Sequence, residues 1–403
     1  MEFLNAKGTK DIMPEDKIVV DSIVDIIKNV FESYGYNPLD TPLLERFEVL
    51  SSKYAGGAEI LKETFKLKDQ GNRDLGLRYD LTVPLARFIA MNSNIKLPFK
   101  RYQIGKVFRD GPVSSNRIRE FTQCDIDVIG SKSLAYDAEM LAIVNEVFKK
   151  LNFKFTIKIN NRKIIDSLLD EYELKNKDKI ILTLDKLDKI GEKEVINELT
   201  RLSNKKSASE IIKRLKSKNL KLKDSKGLNE LNEVLKYAKM FNVKNIEVDY
   251  SLARGLSYYT GTIFEVFSDV KESLVAGGRY DDMISKFANR NMPAVGISFG
   301  LDRIFNSYKK EIKIITQVYV IPINTLKESL KIVNELRKNN IKVDIDLGDR
   351  SISKNLDYAN KLNIPFVIFL GKQELKSKKL KLRDMKTGKE KLLDLDKIIK
   401  LFK

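Results

Sequence analysis

Histidine and tryptophan are absent from this 403-residue chain, and cysteine occurs once, at Cys124. Without histidine the usual general acid/base is missing, and with it Ser-His-Asp and Cys-His catalysis and every His-ligated metal site. One cysteine excludes an intrachain disulfide and a cysteine-based zinc site, so no metal site built from the protein is expected. Long apolar runs are also lacking: no stretch approaches the roughly 18 residues of a membrane span, and no membrane partner is expected. The opening segment MEFLNAKGTKDIMPED carries acids and no extended apolar core, unlike a signal or transit peptide. A cytoplasmic protein is the expectation. Any chemistry must run on carboxylates, arginines, lysines and tyrosines, with a divalent metal arriving only on a substrate.

What the chain has in abundance is positive charge. Its 74 Lys and Arg outnumber 56 Asp and Glu for a net +18, which points to a polyanionic partner or to a Lys-rich genomic composition. Hydrophobic residues make up 42%, enough for packed cores, and the length suggests two or three domains. Residues 316–403 hold 20 Lys and Arg against 11 Asp and Glu, half of the whole excess in under a quarter of the chain. The same segment reads VYVIPI, TLKESLKIVNELRKNN, IKVDIDL, SISKNLDYANKLN and IPFVIFLG. That is a β-α-β-α-β pattern, with a closing hairpin at MKTGKE, and it predicts a separate α/β unit with an RNA-binding face.

The densest chemistry lies in KRYQIGKVFRDGPVSSNRIREFTQCDIDVIG, residues 100–130. It predicts a hairpin with strands over about Arg101–Arg109 and Arg119–Ile129. Side-chain alternation puts Thr122, Cys124, Ile126 and Val128 on one mostly apolar face, and Gln123, Asp125 and Asp127 on the other. On the first strand Tyr102, Ile104 and Phe108 face one way, while Gln103 and Arg109 face the opposite way. Such a face is either solvated or a polar platform. With Arg117 in the joining loop, the platform could hold a phosphate and an amine together, because arginine's planar fork binds two phosphate oxygens at once. Upstream, DKIVVDSIVDIIKNVFESYG has helical spacing up to Gly35. A further hairpin turns at Gln70 to Arg73 and leads through Asp80 and Thr82 to a helix begun near Pro84. Asp80 in that place can equally cap the helix. Residues 162–242 are Lys- and Glu-rich helical material whose charge can face solvent or RNA.

Several of these stretches resemble a known family. FRDGPVSSNRIREFTQCDID resembles motif 2 of the class II aminoacyl-tRNA synthetases in the form found in histidyl-tRNA synthetase. RGLSYYTGTIFE resembles that family's histidine-specific signature, AVGISFGLDRI its motif 3, and YGYNPLDTPLLE its motif 1, with LRYDLTVPLARF and AGGRYDDM completing the set. The resemblance implies an α+β catalytic domain on an antiparallel sheet over residues 1–161 and 243–312. It also implies a helical insertion over 162–242 that contacts the tRNA acceptor arm, and a C-terminal α/β anticodon-binding domain over 316–403. The implied activity is a histidine–tRNA ligase: L-histidine and ATP, carried with Mg²⁺, give histidyl-adenylate, and histidine then passes to the 3′ end of tRNA(His). Motif 1 implies a homodimer.

Residue roles follow by the same resemblance. Arg109 holds the α-phosphate, Arg117 the γ-phosphate, Phe121 and Arg303 the nucleotide, and Arg254 the charge developing between carboxylate and phosphate. Asp80, Thr82 and Gln123 hold the amino group. Asp127 and Tyr259 read the imidazole, with Tyr258 and Tyr280 against the substrate. The family usually carries Asp where this chain has Ser257. A non-catalytic paralogue acting as a histidine sensor or regulatory subunit is the alternative, although such paralogues typically lose these arginines and the anticodon domain.

Overall fold

The computed structural model describes residues 2–52, 61–114, 117–217, 219–254, 258–269, 273–308 and 314–402. The chain separates into two units, Met1–Asp11 with Val20–Lys309 and Ile12–Val19 with Lys310–Lys403.

In chain order the first unit's strands are β1 (Asn37–Pro38), β2 (Leu44–Arg46), β3 (Lys66–Lys68), β4 (Asp74–Leu77), β5 (Phe99–Phe108), β6 (Glu120–Ile129), β7 (Thr156–Asn161), β8 (Ile246–Val248), β9 (Thr262–Phe267), β10 (Val275–Arg279) and β11 (Ala294–Gly300). Eight of them form one sheet in the order β1-β5-β6-β11-β10-β9-β7-β8. Every interior pairing is antiparallel, as expected, and the outermost pairs β1 with β5 and β7 with β8 are parallel. The small sheet β2-β4-β3 is antiparallel throughout and carries the turn expected at Gln70 to Arg73, where Asp69 accepts the Arg73 N–H at 2.9 Å.

The even-numbered residues of β6 and the odd-numbered residues of β11 supply the sheet's apolar face. Cys124, Ile126, Val128, Val295, Ile297 and Phe299 are buried there. The Phe299 ring meets Phe31 of the helix Pro14–Ser33 at 5.6 Å and Phe148 of the helix Ala135–Lys150 at 6.3 Å. Each such fully buried side chain contributes about 1.5–3 kcal/mol, so this packing holds the sheet while its other face stays available. Cys124 is a buried packing residue, with burial raising its thiol pKa far above the ordinary range.

The Lys- and Glu-rich segment folds as helices Arg162–Glu171, Lys177–Leu184, Glu192–Leu202, Lys205–Leu215 and Lys226–Met240, with a short turn of helix at Leu187–Ile190. Its sparse apolar residues recur at helical spacing, so Ile165, Leu168, Leu169, Ile180, Leu184, Val195, Leu199, Ile211 and Leu215 gather in one core and leave the charges outside.

The second unit carries β12 (Val318–Pro322), β13 (Val343–Ile345), β14 (Phe366–Leu370), β15 (Leu380–Asp384) and β16 (Glu390–Leu393), in the order β13-β12-β14-β15-β16. β12 lies parallel to both neighbours, and β15 and β16 extend the sheet as an antiparallel hairpin. Alternation along β12 and β14 sends Val318, Val320, Ile368 and Leu370 to one core and Tyr319, Ile321, Val367 and Phe369 to another, so both faces are covered. The expected turn at MKTGKE forms: the Asp384 carboxylate accepts the Lys386 and Thr387 N–H groups at 2.9 and 2.8 Å, and Gly388 takes φ 70°.

Candidate active site

Register converts the strand pattern into a surface. Arg101 stands opposite Asp127 and Gln103 opposite Asp125 across β5 and β6. Across β6 and β11 the partners are Asp127 with Gly296, Asp125 with Ser298 and Gln123 with Gly300. One strand further, on β10, Gly278 faces Gly296 and Ala276 faces Ser298, and Ala276 in turn faces Glu265 of β9. The face opposite the apolar core is thus a floor of glycine, alanine and serine bordered by charge. Gly296 is obligatory: a Cβ there would lie 1.9 Å from Asp127 Oδ1. Gly105 on β5 is equally constrained, since its Cβ would sit 2.3 Å from an Arg78 nitrogen.

Arg101, fully buried, places Nη2 2.7 Å from Asp127 Oδ2 and donates to the Leu81 carbonyl at 3.3 Å. Asp127 Oδ1 accepts the Tyr280 hydroxyl. Burial raises the Asp127 carboxyl's pKa even with Arg101 and Tyr280 opposing it. Burial also raises the Tyr280 hydroxyl's, and Asp127 adds to that. Tyr258 packs between Tyr259 and Tyr280, at ring-centroid distances of 4.8 and 5.9 Å. Arg254 lies in the chain between β8 and β9, its side chain 22% exposed, ion-paired with Glu265. Burial works against its charge, but Glu265 and then Tyr259 hold its pKa above the ordinary arginine value. Six buried polar atoms of this face make no hydrogen bond within the protein: Arg101 Nε and Nη1, Gln123 Oε1, Asp125 Oδ1, Asp127 Oδ2 and Arg254 Nε. Unpaired buried groups each cost about 1–3 kcal/mol, so their concentration on one face marks it as built for a polar ligand.

Burial pushes the Asp125 carboxyl up to about 7; Arg101 opposes the shift, and Asp127 and Asp80 add to it. An acid raised above its unfolded value of about 3.9 stabilises the folded state fully only below that value, and the contribution is lost as pH rises toward the folded one. The free protein should therefore lose about 4 kcal/mol from this group between pH 4 and 7, read by urea unfolding. Asp125→Asn should flatten that slope, and a variant as pH-sensitive as the parent would refute the assignment.

The remaining expected residues fall around the same floor. Asp80 Oδ1 accepts the Thr82 and Val83 N–H groups at 3.1 and 2.9 Å, so Asp80 caps the helix Thr82–Met91, and Thr82 is half-buried on its first turn. Asp80 still lies within electrostatic reach of Arg101, Arg109, Asp125 and Tyr258. Arg109, just past β5, lays its guanidinium over the Tyr79 ring at 4.2 Å and the Phe121 ring at 4.9 Å. Arg117 is exposed and paired with Glu63, whose other oxygen is 3.5 Å from the Tyr79 hydroxyl. Gln123 donates to Ser298 Oγ at 2.9 Å. Arg303 is exposed on the helix Leu301–Ser307 and donates to the Ser273 carbonyl at 2.8 Å. Asp127 is bonded to Tyr280, while Tyr259 sits beside Arg254. Ser257, with Gly255 and Leu256, lies outside the described residues. Arg101 and Glu265 are the participants that the sequence reading missed. Among the described residues no group of three or more Cys, Asp or Glu is placed to hold a metal, and no helix is long and apolar enough to cross a membrane.

A family model described as histidyl-tRNA synthetase matches residues 8–304, and one described as an anticodon binding domain matches 317–403. Histidine–tRNA ligase 1 of Bacillus cereus is 42% identical over 413 aligned positions that cover 97% of this chain and 97% of that protein. The histidine–tRNA ligase of Clostridium tetani is 40% identical, covering 98% and 97%. The crystal structure of histidyl-tRNA synthetase from Nostoc sp. PCC 7120 superposes with a TM-score of 0.89 at 31% identity, covering 100% of both chains. Matched over nearly its whole length in sequence and in fold, the chain belongs to the histidyl-tRNA synthetase family of class II aminoacyl-tRNA ligases.

Proposed function

We propose that the polar sheet face activates L-histidine with ATP·Mg²⁺ and that the histidyl group then passes from the adenylate to the 3′ end of tRNA(His), releasing AMP. The chain is a histidine–tRNA ligase by family, and ATP and tRNA are that family's substrates. In the first step a histidine carboxylate oxygen attacks the α-phosphorus, a P–O bond forms, and the bond to the bridging oxygen breaks with release of pyrophosphate. The nucleophile is already ionised at neutral pH, so the site must orient and neutralise rather than remove a proton, which suits a chain without histidine. Arg109, packed over the Tyr79 and Phe121 rings, takes the α-phosphate. Arg117 takes the γ-phosphate, and Phe121 with Arg303 the nucleotide. Arg254 bridges carboxylate and phosphate as negative charge develops. Asp80, Thr82 and Gln123 hold the amino group. Asp127, with Tyr258, Tyr259 and Tyr280 around it, accepts an imidazole N–H.

The observation that carries this reading is the set of partnerless buried atoms on Arg101, Gln123, Asp125 and Arg254, all bordering one floor of small residues. Nothing favours the regulatory alternative: Arg109, Arg117, Arg254 and Arg303 are all present, and the anticodon-domain match extends to the last residue. We further assign the helices of residues 162–242 to the tRNA acceptor arm, and motif 1 to a homodimer interface in a cytoplasmic enzyme. Amino-acid-dependent ATP–pyrophosphate exchange, run with each of the twenty amino acids and no tRNA, should proceed with histidine alone. Silence with all twenty, together with calorimetric binding of histidine, would support the sensor instead.

A further inference from the structure

The acceptors on the sheet face are unequally supplied with donors. Asp127 has its charge met: Oδ1 takes the Tyr280 hydroxyl, and Oδ2, though it accepts no hydrogen bond of good geometry, lies 2.7 Å from the Arg101 cation. Asp80 commits Oδ1 to two backbone N–H groups of the helix it caps. Asp125 is different: it is 4% exposed and its Oδ1 has no partner. Ser298 across the strand hydrogen-bonds the Asp125 carboxyl and favours its ionised form, but Oδ1 remains without a partner. Gln103 gives its amide to Asp40 and Thr41, both at 3.0 Å, and Ser298 Oγ is the acceptor for Gln123. Gln123 Oε1, two residues away on the same face, is partnerless as well.

Two unfilled acceptors at i and i+2 on one strand are roughly 7 Å apart at their Cα atoms, close enough for one small group between their side chains. That group must bring several N–H donors and a positive charge. A primary ammonium has three donors and the charge; a neutral imidazole offers one N–H, and phosphate or carboxylate offers none. We propose that Asp125 is a specificity-determining residue that, together with Gln123, accepts the α-ammonium of the amino-acid substrate. A substrate without that ammonium leaves a buried carboxylate unpaired and is rejected. The assignment rests on the reading of this face as the histidine site. The charges facing Asp125 are Arg101 from β5, Asp127 from β6 and Asp80 and Arg78 from the chain leading into the helix Thr82–Met91. Its ordinary state without ligand is therefore set largely by burial, which favours the neutral carboxyl at low pH, and an arriving ammonium restores the ionised form.

The test compares histidine with imidazolepropionate, which is histidine without its amino group, between pH 6 and 8. KM for histidine is read from ATP–pyrophosphate exchange, and Ki for imidazolepropionate from its competitive inhibition. The α-ammonium lowers histidine's imidazole pKa relative to the analogue's, so each constant is expressed per neutral-imidazole form from that ligand's own titration before the ratio Ki/KM is taken. In the parent enzyme that ratio should grow about tenfold across the range as Asp125 ionises. In Asp125→Asn it should be flat and lower by roughly 10- to 100-fold, through a raised KM and a Ki that no longer rises with pH. A flat ratio in the parent overturns the proposal without any variant. A slope that persists in Asp125→Asn overturns it too and assigns the effect to Asp80. Absence of histidine-dependent exchange in the parent would fell the underlying reading first, before the analogue is added.

Discussion

Arg254→Ala should lower the rate of histidine activation by about 10²–10³-fold while histidine and ATP binding change only a few-fold. Removing an interaction that exists only in the transition state lowers kcat without comparable loss of binding, and this is the role proposed for Arg254. Its guanidinium is fixed by Glu265, is kept charged against the cost of burial, and leaves Nε without a protein partner. A cation held in this way needs no reorganisation when charge appears on the pentacoordinate phosphorus. Single-turnover adenylate formation, with equilibrium binding of each substrate measured alongside, separates the possibilities. Equal losses in binding and rate would make Arg254 a ground-state ligand. Arg254→Lys retains the charge without the planar fork, so a rate between parent and alanine variant would show that geometry contributes beyond charge.

The second large effect concerns stability. Arg101→Leu removes the cation of a buried pair and leaves Asp127 uncompensated, which typically costs about 3–5 kcal/mol. The midpoint of urea unfolding at neutral pH should fall accordingly, and histidine affinity with it, because Asp127 loses the group that keeps it ionised and oriented. Arg101→Leu combined with Asp127→Leu should recover a good part of the lost stability but none of the activity. A single variant within about 1 kcal/mol of the parent would show that the pair is not the anchor described here.

The fold was largely legible because its strongest signals are local. Alternation along residues 101–129 separates the apolar and polar faces, and the β-α-β-α-β rhythm from Val318 onward survives unchanged. The Arg101–Asp127 pair was within reach: a hairpin turning symmetrically about residue 114 aligns the two, and Arg101 shares parity with Gln103. With the strand expected to begin at Arg101, that residue falls at the strand's end, where an arginine reads as solvent-facing. Glu265 could not be found in that way. Its meeting with Arg254 depends on the path of the chain between β8 and β9, and the Tyr280–Asp127 bond joins residues 153 positions apart, so neither leaves a periodic trace. Asp80 was legible only as two alternatives, and its cap geometry proved real.

Because the floor beneath the substrate is largely main chain, its relief is set by strand register rather than by side-chain choice. Drift in sequence can neither deepen nor fill it at Gly296 or Gly105 without disturbing Asp127 or Arg78. On the proposed reading, change of substrate would fall to the border side chains, Asp125, Asp127, Tyr258 and Tyr280 among them. Selection aimed at recoding this enzyme toward an amino acid other than histidine should accumulate its substitutions there and leave the glycines untouched.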